Sequence, residues 1–135
     1  MSYFDMKEID VIDRSELIRF VCDVIAMQEM ISGKGMNPKI GQYIDAVLGS
    51  PGGMGGDPLW AIEHHRAPTG LGTFEIWRGN DIDQTEENAE FPGEQFIDQL
   101  RSSIISCRSR YPDYKYIFDE LFDIIARHMA NMLAN

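Results

Sequence analysis

Between Gly79 and Leu100 the chain has neither lysine nor arginine, while Asp81, Asp83, Glu86, Glu87, Glu90, Glu94 and Asp98 all fall within that stretch. Positive charge is scarce throughout: 12 Lys and Arg stand against 22 Asp and Glu in 135 residues, a formal net charge of −10. Such a surface repels nucleic-acid backbones and anionic lipid headgroups, and attracts basic proteins. The basic residues are scattered, apart from Arg101, Arg108 and Arg110, so the electrostatic footprint of a phosphate binder is missing.

Long apolar runs are lacking too. None approaches the roughly 20 residues that a bilayer-spanning helix needs. The opening Met1-Ser-Tyr-Phe-Asp-Met-Lys-Glu has neither the basic start nor the apolar stretch of a secretory signal, so the expected location is the cytoplasm. Cysteine is limited to Cys22 and Cys107, each among apolar residues of an expected helix. Reduced core thiols are the favoured reading. A disulfide or a shared metal is the other, although isolated cysteines lack the close spacing of zinc sites.

Chemical motifs are missing as well. The glycine-rich Gly49-Ser-Pro-Gly-Gly-Met-Gly-Gly-Asp-Pro58 follows a helical pattern and carries no Lys-Ser/Thr pair, so it cannot cradle phosphate as a P-loop does. Asp81-Ile-Asp83-Gln-Thr85-Glu86 resembles the opening of a calcium loop, but Glu86 stands where a glycine is needed and Pro92 where a bidentate Glu is needed. There is no Gly-x-Ser-x-Gly elbow and no His-Glu-x-x-His. His64-His65 is the one candidate acid–base or metal pair. On a strand, however, neighbouring side chains point to opposite faces, which places His64 with Trp60 and Ile62 and His65 with Glu63. Either histidine could work with Glu63 or Glu75 as partner. No metal site and no cofactor are expected.

What is present describes a folded chain. A 44% hydrophobic and 25% charged composition excludes disorder, and 135 residues suit a single domain over 1–135. Residues 13–32 read as a helix, opened by Asp13 and Glu16 as a capping box and carried by Leu17, Phe20, Val21, Val24, Met27 and Ile31. Asn37-Pro38 signals a second helix with Ile40, Tyr43, Ile44, Val47 and Leu48 on its stripe. Gly49–Pro58 reads as a connector that is neither helix nor strand. Leu59–His65 and Thr73–Trp77, separated by Ala67-Pro-Thr-Gly-Leu-Gly72, predict a β-hairpin. Residues 79–90 read as an exposed loop. A third helix opens at Phe91-Pro92 with Phe96, Ile97, Leu100, Ile104 and Cys107 inward. Tyr111-Pro112-Asp113 breaks it, and Asp113 can cap a last helix whose stripe is Ile117, Phe118, Leu121, Ile124, Ile125, His128, Met129 and Met132. The expected fold is a helix-dominated α+β domain in the order α-α-β-β-α-α with a central hairpin.

The acidic segment is the candidate interface. It is flanked by Trp77 and Phe91, large side chains of the kind that anchor protein contacts. Trp77, Asp81, Asp83, Glu86, Glu87, Glu90, Phe91 and Glu94 are the expected partner-binding residues. Opposite charge would steer a basic partner in, and the anchors would set its residence time.

Size, acidity and the α+β reading give the whole chain a composition-level resemblance to bacterial immunity proteins. These neutralise the toxin domain of a bacteriocin or contact-dependent growth-inhibition system. No motif carries the resemblance, so no residue role transfers. It implies one-to-one binding of a basic, nuclease-like toxin domain without catalysis, the carboxylates taking the place of substrate phosphates. Two other readings stay open. One is a self-associating adaptor whose homodimer seam uses the C-terminal helices, with Met129 and Met132. The other is a small enzyme using His64 or His65 with a carboxylate.

Overall fold

The computed structural model describes residues 6–49, 52–56 and 59–134. Four helices pack on one face of a five-stranded sheet. The elements are β1 (Lys7–Ile9), α1 (Arg14–Gly33), α2 (Gln42–Leu48), β2 (Gly53–Gly56), β3 (Trp60–His65), β4 (Thr73–Asn80), β5 (Thr85–Pro92), α3 (Gly93–Arg110) and α4 (Lys115–Leu133), with a 3-10 turn at Pro112–Tyr114. The sheet runs β1-β5-β4-β3-β2, antiparallel except for β1 beside β5. The fold is thus α+β, but its order is β-α-α-β-β-β-β-α-α and not the expected α-α-β-β-α-α. β3 and β4 form the interior of a five-stranded sheet, not a free-standing hairpin.

The correction comes from three strands of low β-propensity. β5, Thr-Glu-Glu-Asn-Ala-Glu-Phe-Pro, occupies the second half of the segment read as a loop, and β4 takes its first two residues. Its eight residues pair in register with β4, from Thr73↔Pro92 to Asn80↔Thr85. Alternation explains the pairing. Ala89 and Phe91 reach the core, while Glu86, Asn88 and Glu90 point the other way. β2 lies in the glycine-rich segment, part of which (50–51 and 57–58) lies outside the described residues. It pairs with β3 from Gly53↔Glu63 to Gly56↔Trp60. Just before it, Gly52 is pressed so closely that a Cβ there would stand 2.3 Å from the Val47 carbonyl oxygen and 2.9 Å from the His64 Cβ. β1, three residues long, adds a parallel edge to β5.

The helices follow the apolar pattern more closely. Asp13 caps α1, its carboxylate accepting the Glu16 N–H at 3.0 Å. α2 starts at Gln42, later than Asn37-Pro38 suggested, because its cap comes from another helix. Glu29 of α1, wholly buried, accepts the N–H groups of Gly41 and Ile44 at 3.0 Å each. Gly41 has φ 92, and a Cβ there would stand 2.3 Å from Ile124 Cδ1, so only glycine fits the turn. Phe96, Ile97, Leu100, Ile104 and Cys107 of α3 are buried, as are Ile117, Phe118, Leu121, Ile124, Ile125 and Met132 of α4. α4 has no side-chain cap, so Asp113 does not fill that role.

Register divides the sheet into two faces. Trp60, Ile62 and His64, then Phe74, Ile76 and Arg78, then Phe91, Ala89 and Glu87, line the helix side. His64 stacks on Phe74, and Phe74 on Phe96 of α3, each with ring centroids 4.2 Å apart. Ala61, Glu63, His65, Thr73, Glu75, Trp77, Glu86, Asn88 and Glu90 occupy the reverse face, which no helix among the described residues covers.

Candidate functional site

The β4–β5 connection is a built turn. The Asn80 side-chain oxygen accepts the N–H of Ile82 at 2.9 Å and of Asp83 at 3.3 Å. Gln84 sits at φ 54, a left-handed conformation, and its side-chain amide donates to the Asp81 carbonyl. The Gln84 carbonyl in turn accepts the Lys7 N–H at 2.8 Å, which ties the turn to β1. The result is a fixed tip that presents Ile82 to solvent at 93% exposure.

Beside the tip lies a groove of about 600 Å3 whose walls include Ile9, Ile12, Leu59, Ile82, Asp81 and Asp83. Ile12, from the segment between β1 and α1, is 92% exposed. Two isoleucines thus flank a groove rimmed by carboxylates. Arg78 and Glu87 also line it, but they neutralise each other at 2.8 Å, and Arg78 further binds Glu16. The net sign of the rim is therefore set by Asp81 and Asp83.

Across the sheet, on the reverse face, a second cluster forms at the opposite end of the strands. His65 Nε2 lies 2.8 Å from Glu75 Oε1, and Asn88 donates to Glu75 Oε2 at 2.8 Å. Glu90 stands directly opposite Glu75 on β5, and Glu63 opposite it on β3. The hydrogen bond that the His65 ring donates to Glu75, backed by the charges of Glu63 and Glu90, raises the His65 pKa. Burial pushes the Glu75 carboxyl up, but the hydrogen bonds from Asn88 and His65 outweigh it and hold Glu75 below the usual carboxylate range. His64 behaves differently. Its Nε2 bonds the Leu71 carbonyl at 2.7 Å inside the core, and burial lowers its pKa, keeping the ring neutral.

No family model, curated protein or solved structure matches this chain. The functional reading therefore stands on the chain's own geometry.

The eight residues singled out from the sequence fall in different places. Asp81 and Asp83 are exposed at the tip, and Glu87 reaches the same groove but is paired with Arg78. Trp77 is half-buried on the reverse face, opposite Asn88. Glu90 is exposed on that face, while Glu86 is buried on it beside Gly79. Glu94 is exposed in the first turn of α3. Phe91 is fully buried, its ring under the Arg14 guanidinium at 4.6 Å, so it serves the core. From Thr85 to Glu90 the strand rise alone spans about 17 Å, so the tip and the reverse-face cluster are separate surfaces.

Sequence reading missed Ile12 and Ile82 as anchors. The available signal was a β-branched residue between two aspartates in a turn, where nothing could bury it. It also missed that His65 would meet Glu75 and Glu90, because that meeting depends on the pairing of β5. Of the residues placed at a self-association seam, Met132 is buried in the core and Met129 half-buried. Cys22 and Cys107 are free and buried, as expected. His128, expected on the apolar stripe of α4, is half-buried, with its Nε2 2.7 Å from Asp45 of α2. No helix among the described residues is long and apolar enough to cross a membrane.

Proposed function

We propose that this protein is an acidic binding domain that docks on one basic protein through the β4–β5 tip and neutralises it, in the manner of an immunity protein acting on a cognate toxin. The observation that carries the reading is the pair of almost fully exposed isoleucines, Ile12 and Ile82, at a groove rimmed by Asp81 and Asp83. An apolar centre inside a charged rim is the usual anatomy of a specific interface. The net charge of −10 supplies long-range attraction for a basic partner. Because the turn is pinned by Asn80, Gln84 and Lys7, little ordering entropy is lost on docking.

Inhibition in this reading is physical occlusion. Asp81 and Asp83 occupy positions that substrate phosphates would take in a nuclease-like site, and the body of the domain blocks entry. Action on such a toxin in the cytoplasm belongs to the same proposal. The test is to capture partners from a lysate of the source cells, identify a stoichiometric basic protein, and assay it for nuclease activity with and without one equivalent of this chain. Suppression at one-to-one stoichiometry supports the reading. A captured protein whose activity is unchanged overturns it.

A further inference from the structure

We propose that His65, Glu75 and Glu90 form a binding site for a divalent transition-metal ion of the zinc type. The inference is independent of the tip and of its partner. Among the described residues, these three side chains offer one ligand atom each, all within 4.8 Å of one another. They come from three adjacent strands, β3, β4 and β5, so the backbone already holds the ligand set on one face.

The donor set is chemically selective. An imidazole nitrogen with two carboxylate oxygens suits zinc and its neighbours, whereas magnesium and calcium prefer oxygen alone. Glu63, Glu8 and Glu86 also lie on β3, β1 and β5, but they bring carboxylates only. The distances suit insertion. Tetrahedral metal–ligand bonds of about 2.0–2.1 Å place two ligand atoms about 3.3 Å apart. His65 Nε2 and Glu75 Oε1 stand 2.8 Å apart, so an ion can replace the proton between them once the pair opens by about half an ångström. Asn88 fixes the other Glu75 oxygen, which orients this carboxylate as an outer partner does in a metal site. Glu90 closes the set by a side-chain rotation at the exposed edge. A dication there also relieves the repulsion of glutamates set directly opposite each other at Glu63↔Glu75 and Glu75↔Glu90.

The geometry leaves the remaining coordination positions facing solvent. Such an ion would carry water there, and could accept a donor from another molecule.

The experiment is a calorimetric titration of the chelator-treated full chain with zinc chloride at neutral pH, in parallel with magnesium chloride. The expected result is one zinc ion per chain. His65→Ala and Glu75→Gln should each weaken binding by tenfold or more, and Asn88→Ala by about tenfold as a positioning residue. His128→Ala removes the histidine paired with Asp45 on another surface and should leave the affinity unchanged. Circular dichroism of each variant checks that the fold is retained. No stoichiometric zinc binding overturns the proposal. So does zinc binding that survives His65→Ala in a folded variant, or magnesium binding as tight as zinc, which would mark a diffuse acidic surface.

Discussion

Arg78 on β4 donates from both terminal nitrogens to the two carboxylate oxygens of Glu16 on α1, at 2.8 and 2.5 Å, and so clamps the sheet to the first helix. The same guanidinium reaches Glu87 on β5 at 2.8 Å and lies 4.9 Å from the Phe20 ring centroid. Arg78→Met keeps much of the apolar stem but leaves two carboxylates facing each other. It should lower stability by about 1–3 kcal/mol in urea unfolding. Glu16→Gln should cost less, about 0.5–1 kcal/mol, because Glu16 is partly in water.

That pair also sets a pH dependence. The hydrogen bond from Arg78 lowers the Glu16 pKa, against some burial that raises it. A lowered folded value means that the stabilisation is present above the unfolded carboxylate value and is lost as pH falls through the folded one. The stability difference between wild type and Glu16→Gln should therefore shrink on acidification. Urea midpoints across that range check it.

Glu29 has the opposite sign. Burial raises its pKa, and the N–H groups of Ile44, Gly41 and Tyr43 only partly offset this. Its titration therefore favours the folded state at low pH, and this contribution is lost as pH rises through the folded value. Glu29→Gln places an amide donor where a backbone N–H needs an acceptor. At neutral pH it should destabilise the chain by about 1–3 kcal/mol, with loss of amide-exchange protection at Gly41 and Ile44.

Phe91 and Trp77 separate core from surface. Phe91→Ala should cost about 3–5 kcal/mol, as expected for a wholly buried ring, while Trp77→Ala should cost about 1 kcal/mol. Thermal unfolding of both variants checks the contrast.

Such contrasts show which features are legible in the chain. α1, α3 and α4 have their apolar residues at helical spacing, and the Asp13 cap fixes the start of α1. β5 is not legible in this way. Its glutamates are tolerated because Arg78 pairs with Glu87, and Ala89 and Phe91 find the core only once β4 lies alongside. β2 exists because glycines permit close approach to β3, a reason that lies in the partner strand. α2 starts late because its cap, Glu29, sits 12 residues before Gly41. The candidate site shares this limit. Asp81 and Asp83 were readable as exposed acids, whereas Ile12 joins the groove, and His65 meets Glu75 and Glu90, only through tertiary structure.

The two thiols should be inert in the native state. Burial raises the pKa of both Cys22 and Cys107, which suppresses the reactive thiolate. A thiol-exchange reagent at neutral pH should find no fast-reacting group in the native protein and two after denaturation.

The most direct measurement compares partner capture from source-cell lysate by three tagged forms: wild type, Ile82→Asp, and the Asp81→Lys, Asp83→Lys double variant. The account predicts that wild type retains one stoichiometric basic protein at low salt, that raised salt weakens the complex, and that both tip variants lose it while remaining folded. Retention of that same protein by folded tip variants would contradict docking at the tip, and capture of no basic protein by wild type would contradict the binding account itself.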